Sequence, residues 1–175
     1  NMPIAITYTC NAGELPLESW IYDLKKGGGR IIGEACHFID LCRFFVGAKI
    51  ISVNAHNLKE ENSKVHSAII SLTFENGSIA SINYFSNGNR AYPKERIDIF
   101  QGGKTISINN FINIKSYGFK GVSNKRYFRQ DKGQNKCVKS FIKSIENGLQ
   151  SPIAFDEIIE VSECALEASK ILHNQ

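Results

Sequence analysis

A chain of 175 residues, 42% hydrophobic and 22% charged, is long enough to bury a core of its own and lies far from the composition of disordered segments. Its net charge of +4 is spread along the sequence. The most basic stretch, Lys115 to Lys136, interleaves Tyr117, Phe119, Tyr127 and Phe128 but carries no nucleic-acid motif and reads as a solvated loop and strand edge. No apolar run approaches the roughly 18 residues of a membrane span, and no basic flank and apolar stretch marks a signal peptide.

Residues 3–10 read as a first strand, closed by Asn11-Ala12-Gly13. A strand pattern with so little before it suggests a domain excised from a longer protein. A polar loop with Pro16 leads to an amphipathic turn around Trp20, Ile21 and Leu24, and Gly27-Gly28-Gly29 then breaks the chain. From Arg30 to Val46, Ile31, Ala35, Phe38, Ile39, Cys42 and Phe45 recur at three- and four-residue spacing, which predicts a largely buried helix stopped by Gly47.

The middle of the chain is strand-like over 50–58, 65–74, 78–85, 95–101 and 104–109, with Asn76-Gly77 and Gly102-Gly103 as tight hairpin turns. Alternation puts Ala68, Ile70, Leu72 and Phe74 on one face and Ser67, Ser71 and Thr73 on the other. Ile106 and Ile108 likewise oppose Thr105 and Ser107. One face is expected to pack under helices and the other, small and polar, to remain open for a ligand or a second subunit; Ser81 and Asn83 join the polar set. Two helices close the chain. One carries Val138, Phe141, Ile142 and Ile145, and the other, capped by Asp156, carries Ile158, Val161, Ala165, Ala168 and Leu172. The order spells a single α+β domain over residues 1–175, with a largely antiparallel sheet and helices on one face.

Five cysteines, at 10, 36, 42, 137 and 164, form no C-x-x-C pair, so reduced, buried thiols in a cytoplasmic protein are expected. His56, His66 and His173 share no ligand spacing, and no metal site is expected.

The segment with chemistry in it is Gly27 to Gly47. A glycine turn before a helix lets backbone approach a bound group, and a helix N-terminus offers free N–H donors. Glu34, His37 and Asp40 fall three apart on one ridge of an otherwise apolar helix, and Gly33, one turn before His37, leaves space beside the imidazole. An imidazole beside a carboxylate is what proton exchange with a hydroxyl requires near neutral pH. Asn11, Trp20 and Arg30 flank the expected pocket; Trp20 could equally plug the seam between helix and sheet. Arg30 at a helix start opposes the dipole, which points to an ion pair or a bound anion. Arg90, Lys94 and Arg96 could reach a sugar phosphate or nucleotide-sugar, or could guard a strand edge.

This segment resembles the first long helix of the C-terminal domain in the Gfo/Idh/MocA oxidoreductases. The Asn11-Ala12-Gly13 strand end, the Trp20 loop, the Asn76-Gly77 hairpin, Tyr92-Pro93-Lys94-Glu95-Arg96 and Pro152-Ile153-Ala154-Phe155-Asp156-Glu157 follow in the same order, in the manner of a subgroup often fused behind a zinc-type alcohol dehydrogenase module. The resemblance implies an NAD- or NADP-dependent oxidoreductase acting on a sugar, polyol or nucleotide-sugar. It implies His37 as acid/base with Glu34 and Asp40, Asn11, Trp20, Arg30 and Gly33 at the substrate, and Gly28 and Gly29 touching the cofactor. It also implies a homo-oligomer built through the sheet. Two departures stand out. The family commonly has an Asp where Gly33 stands, and Glu34 points roughly 100° further round an α-helix. No G-x-G-x-x-G follows a strand, so the dinucleotide and the lysine of the proton relay are expected to belong to an N-terminal Rossmann domain outside this chain, without which it should be inactive. The competing expectation is a non-catalytic binding or dimerisation domain that keeps the fold.

Overall fold

The alternation between Ala68 and Phe74 is obeyed residue by residue: every second side chain is buried and the others are exposed. This is the signature of a sheet covered on one face only. The computed structural model describes residues 2–16, 18–23, 25–59 and 67–174. Among these the sheet has eight strands: β1 (Ala5–Asn11), β2 (Ile50–Asn57), β3 (Ala68–Phe74), β4 (Ile79–Phe85), β5 (Glu95–Gln101), β6 (Lys104–Asn109), β7 (Asn113–Tyr117) and β8 (Lys125–Arg126). Their spatial order is β2-β3-β4-β1-β5-β6-β7-β8. All neighbours are antiparallel except β1 and β4, which run parallel from Ala5↔Ile79 to Asn11↔Phe85.

The covered face carries Ile6, Tyr8 and Cys10 from β1, Ile70 and Leu72 from β3, Ile82 and Tyr84 from β4 and Ile97 from β5, each no more than 3% exposed. Against it pack α1 (Cys36–Val46) and α3 (Phe155–His173). Ala165 and Ala168 are small enough to bring α3 close, and Arg43 of α1 anchors it through Glu160 at 3.0 Å and Glu157 at 3.4 Å. The Glu160 carboxylate also accepts the Ile50 N–H at 2.6 Å, so one side chain ties α3 to both α1 and the start of β2. Gly47, left-handed at φ 64°, ends α1 as its place in the sequence predicts. The intervening helix α2 (Gln134–Glu146) behaves differently: no residue of it is buried, and Val138, Phe141, Ile142 and Ile145 face outward.

The strand pattern left the place of β1 in the sheet open, and the structure inserts it between β4 and β5. The basic stretch expected as a solvated loop and strand edge holds the end of β7 and the edge strand β8. Other expectations change. Ser67 does not join the open face; it is 1% exposed and its hydroxyl lies 3.0 Å from that of Ser86, pinning the approach to β3 against the end of β4. Asp156 is not the cap of α3: Ala154 holds that position and Asp156 falls in the first turn, where its charge still suits the helix dipole. Cys137 is exposed and Cys36 half-buried, while Cys10, Cys42 and Cys164 are buried as expected. The expected start of a strand at Val65, along with His66 and Leu24, lies outside the described residues.

Ser71, Thr73, Ser81 and Asn83 lie on the open face with Thr7, Thr9, Arg96 and Asp98, yet that face is mixed rather than small and polar. One register row is apolar: Ile79 and Phe100 flank Ala5, and Tyr117 lies beyond Thr105. Ile79, Phe100 and Tyr117 are 54%, 46% and 54% exposed. Periodicity fixes which side a residue takes, not how large it is. Among the described residues no helix is long and apolar enough to cross a membrane.

Candidate active site

The glycine turn and the helix behind it set the geometry. Gly28 and Gly29 adopt φ 69° and 82°, a backbone that side chains resist. Gly27 meets a different constraint: a Cβ there would lie 2.6 Å from Ile21 Cα and Trp20 O. The close approach that the glycines permit is therefore to the chain's own one-turn helix at Trp20–Tyr22. The following helix opens with a π-helical turn, Ile31–Ala35, before it tightens into α1. Such wide turns recur at functional sites. Gly33 lies in this turn, and a Cβ there would meet nothing nearer than Gly27 O at 3.8 Å, so the space beside the helix is open.

Of the three ionisable residues on the expected ridge, the structure leaves two facing solvent. His37 and Asp40 are exposed, and His37 makes no hydrogen bond or ion pair among the described residues. The Asp40 carboxyl is held above its ordinary value of 3.8, first by partial burial and then by Glu157. His37 and Arg43 pull the other way. Glu34 is engaged elsewhere: it accepts a hydrogen bond from the Tyr84 hydroxyl at 2.7 Å and pairs with Arg30 at 3.5 Å.

Arg30 resolves to an ion pair rather than a solvated cation. It is 2% exposed, its guanidinium lies 5.2 Å from the centroid of the Tyr84 ring, and Nη1 donates to Gly13 O at 2.9 Å. Arg30, Glu34 and Tyr84 thus lock the first turn of the helix to the end of β1 and to β4. Burial, and after it the hydrogen bond to Glu34, push the Tyr84 hydroxyl far above the ordinary tyrosine range, so it remains a donor. Asn11 also acts as a brace. Its Nδ2 donates to Asn89 O at 2.8 Å and Tyr92 O at 3.4 Å, holding the loop between β4 and β5. Trp20 is 66% exposed, which removes the reading of it as a plug between helix and sheet.

A second buried charge was not foreseen. Glu95, 4% exposed, pairs with Lys132 at 2.7 Å, and its Oε2 has no partner. It neighbours Cys10 across β1–β5 and, after burial itself, is the main reason that the Cys10 thiol is pushed up to about 12. Nothing in the spacing announces this pair, whereas the ion pair expected of Arg30 finds its partner in Glu34, four residues on. A larger cleft of about 840 Å³ between β2 and α3 is lined by Asp156, Glu160, Glu163 and Glu167 and contains none of the residues of the helix start.

A family model described as the GFO/IDH/MocA C-terminal domain matches residues 3–106. Among solved structures, the chain is similar to UDP-N-acetylglucosamine 3-dehydrogenase from Acidithiobacillus ferrooxidans, with TM-score 0.78 and 18% identity over 99% of this chain and 55% of that one. An aldose-aldose oxidoreductase from Caulobacter crescentus, complexed with glycerol, gives TM-score 0.75 and 13% identity over 96% and 54%. A probable dehydrogenase from Thermotoga maritima gives 0.69 and 20% over 99% and 55%. At such identities the likeness is one of fold, and the chain spans about half the length of these structures. Comparison with curated proteins returns no match.

Proposed function

The chain belongs to the GFO/IDH/MocA family, and from that premise we propose that it is the substrate-side domain of an NAD(P)-dependent oxidoreductase acting on a hydroxyl or ketone of a sugar, polyol or nucleotide-sugar. One observation carries the reading: His37 and Asp40 stand exposed on a ridge whose third member, Glu34, is engaged by Tyr84 and Arg30. His37 takes the proton from a substrate hydroxyl during oxidation and returns it during reduction. Asp40, one turn on, stabilises the imidazolium that forms. Gly33 leaves the room in which the substrate carbon lies.

The glycine turn does not fit a dinucleotide cradle. It follows a one-turn helix rather than a strand, and Gly27 is filled by the chain's own backbone. Gly28 and Gly29 serve at most the rim of such a site. A Rossmann domain supplies that half in our reading, and the chain alone is inactive. Five free thiols suit a reducing, cytoplasmic setting, and the open sheet face with Ile79 and Phe100 suits a homo-oligomer.

The alternative, a binding or dimerisation domain without chemistry, draws support from the glycine at 33 and the tethered Glu34. The test is steady-state kinetics of the protein that unites this chain with its dinucleotide-binding domain. His37→Ala should lower kcat by about 10²–10⁴ with KM little changed. Equal activity in both forms would end the assignment of His37 and favour the alternative.

A further inference from the structure

The structure sorts the charges around the start of β5. Arg96 turns to the open face and donates to Asp98 at 2.9 Å. Glu95 turns to the covered face and is matched by Lys132. Arg90 and Lys94 have no carboxylate partner among the described residues, and both line a cavity of about 240 Å³ with Asn11, Gly13, Glu14 and Tyr92. Glu14 sets one negative charge against these two positive ones. Arg30 lies beneath the floor, where it holds the Gly13 carbonyl, its own charge matched by Glu34.

The cavity is also preformed. The loop that bears Arg90 and Tyr92 is fastened to β1 by Asn11 Nδ2 at Asn89 O and Tyr92 O, and by the Asn11 N–H at Lys94 O, 2.7 Å. Asn89 closes a turn of its own through Oδ1 and the Ala91 N–H at 2.8 Å. Gly88 lies so close to Asn11 that a Cβ there would overlap its Oδ1. Two exposed cations outnumber the single Glu14 carboxylate beside a wall whose backbone is fixed, and an oxyanion placed there takes charge-assisted hydrogen bonds from both.

We propose that this cavity is an anion subsite, so that the substrate is a charged sugar whose oxyanion, a phosphate ester or a carboxylate, sits between Arg90 and Lys94. This rests on the sugar-oxidoreductase reading above and deepens it. The volume suits one charged group and the edge of a ring, with Tyr92 as an apolar wall, rather than a whole nucleotide-sugar. Arg90 presents a fork that matches either oxyanion, and Lys94 a point charge.

The test is titration of the chain, followed by NMR or calorimetry, with glucose 1-phosphate, glucuronate and neutral methyl glucoside as probes. At least one charged probe should bind more tightly than the neutral one, and which one binds identifies the oxyanion. R90Q/K94Q should weaken that binding at least about tenfold, and raised salt should weaken it further. K125Q/R126Q, in a separate basic groove, should leave it unchanged. Binding of neither charged probe, equal binding of all three, or indifference to R90Q/K94Q overturns the proposal. His37→Ala separates the two readings: it should leave anion binding intact while lowering kcat of the complete enzyme by about 10²–10⁴. Activity that survives it removes the proton-transfer role without touching the subsite.

Discussion

Replacing Arg30 by methionine tests whether this residue builds the site or serves the substrate. The substitution keeps most of the length of the side chain and removes the guanidinium. Lost are the hydrogen bond to Gly13 O at 2.9 Å and the contact with the Tyr84 ring at 5.2 Å, together with the ion pair to Glu34 at 3.5 Å. A hydrogen bond from a charged donor contributes about 1.5–3 kcal/mol and the ring contact about 1 kcal/mol. The Glu34 side chain is 31% exposed, so water takes up part of its charge and the ion pair adds only about 0.5–1 kcal/mol. Relief from burying a guanidinium, with the apolar area that methionine buries instead, offsets about 1–2 kcal/mol. The net loss is about 1–4 kcal/mol, which at a urea dependence of about 2 kcal/mol per molar moves the unfolding midpoint down by about 0.5–2 M. Urea unfolding followed by circular dichroism reads this directly. A midpoint within about 0.3 M of the parent chain would show that the lock is not a lock, and would return Arg30 to a role at the substrate.

The thiols should separate by burial: at pH 8 a chromogenic disulfide reagent should modify Cys137 quickly and Cys36 slowly. Cys10, Cys42 and Cys164, whose thiols burial pushes up to about 12, should react only on unfolding, and fast labelling of any of them would contradict the packing. The Asp40 carboxyl binds its proton more tightly folded than unfolded, so its ionisation costs stability as pH rises from about 3.8 through the raised folded value. Asp40→Asn should therefore gain stability over the parent chain across that window and hold a constant gain above it. Unfolding midpoints that diverge towards low pH instead would reverse the sign and refute the partial burial that raises the carboxyl.

Local periodicity made α1, α3 and the covered face of β3 legible, because each buries one stripe and the spacing of Phe38, Ile39 and Cys42, or of Ile70 and Leu72, states which. The place of β1 was hidden, since a strand of Ile6, Tyr8 and Cys10 fits equally at an edge or between two others; only pairing with residues far along the chain decides it. At the site, His37 and Asp40 were visible as helical neighbours. The engagement of Glu34 was not, because Tyr84 reaches it from a strand fifty positions away. Arg90 and Lys94 carried a signal, but the sequence grouped them with Arg96, and only the pleat separates a residue from its immediate neighbour.

The insertion of β1 has a consequence for how the molecule is made. β2-β3-β4 and β5-β6-β7-β8 are each continuous antiparallel ribbons that can zip locally, and β1 alone joins them. During synthesis it leaves the ribosome several seconds before either neighbour exists, at the usual pace of elongation. Ile6, Tyr8 and Cys10 must wait, apolar and unpaired, for a slot that opens only when the rest of the sheet arrives. Closing that slot is the long-range step that sets the folding rate, and the same vacancy, open on both sides, is where a strand from another chain could enter first.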